Sequence, residues 1–286
     1  MKQMTHKLIR VGGLVLGLAT LALLAVSLSV HAANLPLKAP IYKAPPPAPA
    51  PVSGWGGFYF GLNGGYGWGS DPVAFAPASA GAISGFSTVV PAGVSGQPAG
   101  GLFGVQLGYN WQWTAQTILG IETDFDYADI DGAGSVTLLS GGTPFTSSAS
   151  QGLSRLGTLR GRVGFVFDQL LFYGTGGLAY GHTALATSFV GLAGGACGPA
   201  GICAATASSG WQTGWAAGAG IEWAVSPAIS VKAEYLHYDL GSRTLTGFDP
   251  ALPAILFASS GDFSGDIVRL GLNFRFGGGG PIVARY

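Results

Sequence analysis

The chain has 286 residues, of which 9% are charged and 48% hydrophobic; it carries 50 glycines, 16 Phe, 10 Tyr and 7 Trp, and its formal net charge is zero. A soluble domain carries roughly 25% charged residues, so this composition cannot coat an aqueous surface in the usual way. Beyond the N-terminus no apolar run reaches the ~20 residues of a membrane-spanning helix, and the balanced charge argues against a nucleic-acid partner.

Residues 1–32 read as an export signal. Lys2, Lys7 and Arg10 form a positive start, Leu14 to Leu28 an apolar core, and Val30-His31-Ala32 a small-residue cleavage site. The competing reading is a retained anchor, because the uncharged stretch Val11 to Val30 is long enough to cross a bilayer. Residues 33–53 are Pro/Ala-rich with no apolar period and read as an extended periplasmic linker; a protein-binding PxxP motif is the alternative.

From residue 54 to 276 the pattern is one of strands with an apolar and a polar face, joined by short and long connections in turn. Trp55 to Gly69 sets Phe58, Phe60, Leu62, Tyr66 and Trp68 against Tyr59 and Asn63, and a long turn-rich loop follows to Gly100. Gly101 to Trp113 directs Phe103, Val105, Leu107, Tyr109, Trp111 and Trp113 outward and Gln106, Asn110 and Gln112 inward. After Thr114 to Thr117 comes Ile118 to Ile130, where Leu119, Ile121, Phe125 and Tyr127 alternate with Glu122, Asp124 and Asp126. A second long loop, Asp131 to Gly152, leads to Leu153 to Phe167, with Leu159, Val163, Phe165 and Phe167 out and Thr158, Arg160 and Arg162 in. Asp168-Gln169 turns into Leu170 to Phe189, whose phase stays open. A two-residue turn puts Leu170 and Phe172 outward, a three-residue turn Leu171 and Tyr173. Val190 to Gly210 is a third long loop. Trp211 to Val225 (Trp215, Ile221 and Trp223 out, Gln212 and Glu222 in) then turns at Ser226-Pro227-Ala228 into Ile229 to Leu240, with Lys232 and Glu234 in. The fourth long loop, Gly241 to Asp262, precedes Phe263 to Phe276. There Val268, Leu270, Leu272, Phe274 and Phe276 oppose Arg269, Gly271, Asn273 and Arg275.

Eight strands joined by alternating short and long connections predict an all-β fold, an eight-stranded antiparallel up-and-down transmembrane β-barrel. Each strand exceeds the ~9–11 residues needed to cross a membrane at a tilt. An even count places both termini in the periplasm, with residues 277–286 as a Gly-rich tail. A lipocalin-like barrel would instead have an apolar interior and a charged exterior. The expected surroundings are outer-membrane lipids and lipopolysaccharide, and the expected state is a monomer.

WGGFYFGLNGGYGWG at Trp55, LLFYGTGGLAYG at Leu170, VKAEYLHYDLG at Val231 and VRLGLNFRF at Val268 resemble the outer-membrane immunogenic protein family of alphaproteobacteria. These are OmpA-like eight-stranded barrels, sometimes called porin family. The resemblance implies a surface antigen that stabilises the envelope and carries no catalytic residues over. Barrels of this kind commonly end on a phenylalanine that the barrel assembly machinery reads. Here GGGGPIVARY follows, so the signal at Leu272, Phe274 and Phe276 would act internally.

The inward charges Glu122, Asp124, Asp126, Arg160, Arg162, Glu222, Lys232, Glu234, Arg269 and Arg275 form the candidate site. If Val225 lies opposite Ile229, Glu222 falls opposite Lys232. Glu122 and Asp124 share a face with Arg160 and Arg162, and Glu234 neighbours Arg269. Unpaired charges in a narrow interior are costly, so pairing is expected. The result is either a salt-bridge plug or a charged constriction that selects ions. Catalysis would need a nucleophile beside a base, and His182 and His237 show no triad spacing. Neither cofactor nor metal is expected, since clustered ligands are absent. Cys197 and Cys203 bracket a Gly/Pro turn in a loop, a spacing that suggests a local disulfide in an oxidising compartment, with two free thiols as the alternative. The long loops, rich in small uncharged residues, could bind host or phage partners or simply form mobile tips.

Overall fold

A computed structural model describes residues 54–69, 72–78, 89–191, 202–249 and 252–276. The proposed signal, linker and tail lie outside the described residues, and so do Cys197 and the side chain of Cys203.

The strands are β1 (Gly57–Trp68), β2 (Val73–Pro77), β3 (Gly93–Val94), β4 (Ala99–Gln112), β5 (Thr117–Ser140), β6 (Thr143–Phe167), β7 (Leu170–Gly191), β8 (Ile202–Ala224), β9 (Ile229–Asp249) and β10 (Leu252–Phe276). All form one antiparallel sheet in the order β1-β4-β5-β6-β7-β8-β9-β10-β2-β3, and β1 also pairs with β10. That last pairing, from Phe58 opposite Phe276 to Trp68 opposite Asp266, closes eight of the strands into a ring. The two additional strands resume the first hairpin beyond its break. β2 pairs with β10 at Phe257 to Ser260, above the stretch of β10 that β1 occupies, and β3 pairs with β2.

Where loops were expected, the chain builds tall hairpins. β5 and β6 stay paired up to Ser140 opposite Thr143, and Gly141 and Gly142 make the turn at φ +57 and +81. β7 and β8 pair from Gly191 opposite Ile202 downward, and β10 pairs with β9 from Leu252 opposite Asp249. The Ser, Thr, Ala and Gly rows there have little polarity contrast, so composition suggested loops. The ladder is supplied by the neighbouring strand rather than by any propensity of the segment.

The short turns at the other end are held by their own side chains. Thr114 Oγ1 accepts from the Gln116 and Thr117 N–H groups at 3.2 and 2.9 Å. Ser226 Oγ accepts from Ala228 and Ile229 N–H at 3.3 and 3.1 Å. Phe167 sits opposite Leu170, so Asp168-Gln169 is a two-residue turn, with Asp168 at φ 55. Phe172 is therefore exposed, and Leu171 and Tyr173 are buried, which resolves the open phase of this strand.

Midway up the strands the polarity of the two faces inverts. Along β10 the outward row runs Phe276, Phe274, Leu272, Leu270, Val268 and then Asp266, Ser264, Asp262. Over the same stretch the inward row changes from Arg275, Asn273 and Arg269 to Ile267, Phe263 and Phe257. β5 inverts between exposed Tyr127 and exposed Asp129, its inward row passing from Asp126 to Ala128 and Ile130. β9 inverts between Tyr235 and His237, with Lys232 and Glu234 giving way to Leu236, Tyr238 and Leu240. β6 does so between Leu159 and Arg155. The apolar outward belt thus covers only the lower, short-turn half of the wall, near the ~9–11 residues a tilted strand uses to cross hydrocarbon. Above it the wall has a polar outside and an apolar inside, as a water-soluble sheet structure does. The sequence-based expectation of a polar lumen holds for the lower half. In the upper half a cluster of Val73, Phe75, Leu102, Ile130, Leu153, Leu185, Phe189, Leu240, Phe257, Phe263 and others fills the interior.

The upper wall is not continuous. β8 and β9 share a ladder only from Trp215 opposite Asp239 downward. Above that level β9 turns off at Gly241, φ +78. Side chains span the split: Arg243 donates to Ser208 Oγ (3.1 Å), Thr183 Oγ1 (3.3 Å) and Gly210 O (3.3 Å), and Gln212 Nε2 to Ser242 O (3.1 Å).

Candidate functional site

Strand alternation and ring closure place the inward charges of β5, β6, β8, β9 and β10 in a single interior tier. Arg160 on β6 is the hub. Its Nη2 lies 2.8 Å from Glu122 Oε1 and 2.7 Å from Asp124 Oδ2, its Nη1 2.6 Å from Glu234 Oε1, and its Nε donates to Thr158 Oγ1 at 2.8 Å. Arg269 on β10 mirrors it with Nε 2.7 Å from Glu234 Oε2, Nη2 2.8 Å from Asp124 Oδ2 and Nη1 3.1 Å from Asp126 Oδ2. Lys232 Nζ meets Glu122 Oε1 at 2.8 Å and Glu234 Oε2 at 3.5 Å. The charged side chains of these pairs are at most 2% exposed, so each carboxylate relies on the arginines and lysine for what water would otherwise supply.

Below this hub Arg162 pairs with Glu222 at 2.8 Å, donates to Tyr59 OH at 2.9 Å and stacks over the Tyr173 ring at 4.1 Å. Tyr59 OH in turn donates to Glu122 Oε2 at 2.6 Å. Glu222 Oε1 accepts from Ser230 Oγ at 2.5 Å and Asn273 Nδ2 at 2.9 Å. Gln106 Nε2 donates to Asn273 Oδ1 at 2.5 Å, and Asn63 Nδ2 to Gln106 Oε1 at 3.4 Å. The ring of Tyr59 lies over Gly108, where any Cβ would overlap it.

The structure brings together nine of the ten charges read from the sequence, with a change of partner. Glu222 does stand opposite Lys232 in register. Its carboxylate nevertheless reaches Arg162 on β6, while Lys232 turns to Glu122 on β5 and to Glu234. Glu122 with Arg160 and Glu234 with Arg269 are both opposite in register and in contact, as expected, while Arg162 and Glu122, the partners of Glu222 and Lys232, lie across the lumen. The tenth, Arg275, sits at the short-turn mouth. Its guanidinium lies 4.7 Å over Trp55 and donates to Ser226 O at 2.8 Å. Trp55 had no assigned part from the sequence, the face of Tyr173 was open, and Asn273 was on the inward row of its strand. Tyr59, Asn63, Gln106 and Asn110 were on the inward row by alternation alone, the one signal that marked them.

Apolar clusters lie on both sides of the charged tier. Below it Trp55, Ile118, Val166, Leu171, Tyr173 and Ala224 form a buried apolar cluster at the mouth, and above it stands the apolar fill of the tall half. Among the described residues no group of three or more His, Cys, Asp or Glu is placed to hold a metal ion. The two histidines among the described residues, His182 and His237, lie on the outward face. Ser154 Oγ is 3.1 Å from His182 Nδ1, whose ring packs edge-on to Trp211. His237 Nδ1 is 2.9 Å from Asp266 Oδ1, which also accepts from Tyr235 OH at 2.6 Å. Serine and carboxylate thus contact different imidazoles, on strands separated by β8, and no single line of nucleophile, base and acid is formed. Leu272, Phe274 and Phe276 face outward at the short-turn end of β10, opposite Leu62, Phe60 and Phe58 of β1.

A family model described as "Outer membrane protein beta-barrel domain" matches residues 18–276. The chain belongs to the outer-membrane β-barrel family. Within it, the 31 kDa outer-membrane immunogenic protein of Brucella melitensis is 34% identical over 253 residues, 87% of this chain and 94% of that protein. A 22 kDa outer membrane protein of Rhizobium leguminosarum bv. viciae is 28% identical over 229 residues, 79% of this chain and 80% of that protein. Among solved structures, the outer membrane protein OprG of Pseudomonas aeruginosa aligns with a TM-score of 0.40 and 12% identity, covering 79% of this chain and 99% of that one. The chain is an outer-membrane protein.

Proposed function

We propose that this outer-membrane barrel is a closed, monomeric structural element of the envelope, with its tall end on the cell surface as an antigen and both termini in the periplasm. The observation that carries the reading is the lumen itself. Its charged side chains are almost wholly buried and bonded to one another, with apolar clusters on either side. A conducting constriction needs ions to exchange water for protein oxygens and leave again; here most of the carboxylate oxygens are engaged by arginine and lysine. The tall hairpins offer neutral Ser, Thr, Ala and Gly faces to solvent. The Brucella relative is named for immunogenicity, which fits such a surface. The outward belt would sit against lipids and lipopolysaccharide, and the phenylalanines at the end of β10 would be read by the assembly machinery.

Planar-bilayer recording of the refolded protein tests this. The expected result is no reproducible open steps; large, regular steps from pure protein would favour a narrow porin instead. In cells, deletion should raise sensitivity to detergents and bulky antibiotics, whereas removing the hairpin tip around Gly141-Gly142 alone should leave envelope resistance unchanged. Loss of phage or host-cell binding in that tip variant, with the envelope intact, would point to an adhesive role.

A further inference from the structure

Charge is unevenly spread over the outer face of the wall. On β5, β9 and β10 that face carries Asp129, Asp131, Asp239, Asp262 and Asp266. Across the described residues of β6, β7 and β8 it carries one charged side chain, Arg155, besides His182. Arg155 is exposed, and its guanidinium has neither hydrogen bond nor ion pair among the described residues. The other cations of the wall are engaged. Arg160, Arg162, Lys232 and Arg269 are bonded in the lumen, Arg275 donates to Ser226 O at its mouth, and Arg243 spans the split between β8 and β9.

Arg155 stands where the outer face of β6 changes from apolar to polar, and aromatic rings surround it. Tyr127 on β5 and His182 on β7 are its register partners, and Trp211 on β8 lies opposite His182. Tyr180, one outward position below His182, is laid across Gly157, where a Cβ would overlap the ring. The Trp211 ring packs edge-on to His182 at 5.6 Å and lies 6.1 Å from Tyr180. Ser154 holds His182 in place, with Oγ 3.1 Å from its Nδ1 and 3.3 Å from its carbonyl oxygen. Tyr127 and Trp211 stay exposed, so the guanidinium has an aromatic collar that is open to the outside. Rings with one apolar and one wet side gather at membrane interfaces. An arginine set among them can grip a phosphate through two parallel hydrogen bonds. Asp129 and Asp131 stand further toward the tall end of β5. From the belt side, where the outward row of β5 is Thr123, Phe125 and Tyr127, no carboxylate guards the approach.

We propose that this flank binds one phosphorylated saccharolipid of the outer leaflet, with its phosphate on Arg155 and its sugar against the Trp211 and Tyr127 rings. Its chains would run down the belt over Gly161, Gly174, Gly176 and Ala219, which floor open grooves walled by Trp111, Leu119, Phe172 and Ile221. Those small residues would admit any apolar neighbour; the cation above them selects an anionic one. Above Arg155, Ser148, Ser150 and Ser188 line a further groove with hydroxyls and no charge, a surface suited to the rest of a glycan. The carboxylates of β9 and β10 repel the same headgroup, so the lipid has one side of the barrel to settle on. Free phosphate would gain the Arg155 contact alone, and a glycerol phospholipid would leave the rings uncovered. The inference rests on the reading that the tall half faces the cell surface, which sets Arg155 at the outer leaflet.

The test titrates the refolded full-length protein, in neutral detergent, with four probes and counts bound copies by native mass spectrometry. The probes are bisphosphorylated lipid A, the same lipid stripped of its phosphates, phosphatidylglycerol and inorganic phosphate. Lipid A should saturate at one copy per barrel. Loss of its phosphates, or Arg155→Gln, should weaken binding about tenfold. Trp211→Ala should weaken it by a smaller factor, and Asp262→Asn on the opposite flank should leave it unchanged. Arg155→Gln has no internal partner to lose and should keep the heat-modifiable folded band; if it does not fold, the stripped lipid on the wild type reads the same contact. Lipid A bound no more tightly than its stripped form, or equally by wild type and Arg155→Gln, overturns the proposal. Phosphatidylglycerol or inorganic phosphate matching lipid A overturns the saccharolipid assignment. Orientation is read separately, by antibody staining of intact cells carrying an epitope inserted between Gly141 and Gly142. Absence of staining overturns the surface reading, whatever the titration shows.

Discussion

The lower and upper halves of this barrel are built from the same strands and obey opposite rules. In the lower half Phe274, Leu272 and Leu270 face out while Arg269, Glu234 and Arg160 face in. In the upper half Asp266, Asp262 and Arg155 lie on the outer face, while Phe257, Phe263 and Leu240 are buried within. Lipid outside demands an apolar wall and leaves polarity to the lumen. Water outside demands the reverse, and the apolar side chains go where any soluble protein keeps them. The fold is continuous across the boundary; what changes is the solvent that each face answers to. Asp266, His237 and Arg155 mark the level at which it changes.

The most damaging change should be the removal of a hub charge from the lower half. Arg269→Ala leaves Asp124, Asp126 and Glu234 short of a partner inside the barrel, and about 3–5 kcal/mol of stability should be lost, read as a lower urea midpoint of the folded, heat-modifiable band. Second in size is a positive charge on the lipid face: Leu270→Arg should cost about 2–4 kcal/mol. The same arginine at Ala205, outward in the upper half, should stay within about 0.5 kcal/mol. Equal effects at both positions would sink the idea that the two outer faces meet different solvents. Smallest is Arg243→Ala. It unfastens the split between β8 and β9 and should cost about 1 kcal/mol, with faster amide exchange confined to the tall parts of those strands. Global loss of exchange protection would show that the split is not a local feature.

The lower half was legible in the sequence because its alternation is strong. Phe58 to Trp68 and Val268 to Phe276 announce their faces, and parity alone placed Glu122, Asp124, Arg160 and Lys232 inside. The upper half was read as loops because segments such as Ala204 to Gly210 carry small residues on both faces, with no contrast to detect. At the boundary itself Ile267 and Val268 are adjacent apolar residues on opposite faces, which looks like the start of a strand rather than the midpoint of a longer one. Partner choice in the lumen was beyond parity, since Glu222 meets Arg162 only after the sheet has curled into a ring and brought β8 across from β6.

That ring has a consequence for how the protein forms. Almost every pairing in the wall joins strands consecutive along the chain, so hairpins can zip locally and early. The long-range exceptions lie along one edge of β10: it meets β2 at Phe257 to Ser260 and β1 at the seam, where Phe58 meets Phe276 and Tyr66 meets Val268, the longest sequence separation in the described structure. Such contacts carry the greatest loop-closure cost and are intrinsically slow to form. Every other edge can be satisfied while β1 and β10 still wait, so a partly assembled chain would present these two strands together as its open flank. The last residues of β10 to be made are therefore the ones that turn a curved sheet into a ring closed through its lower half.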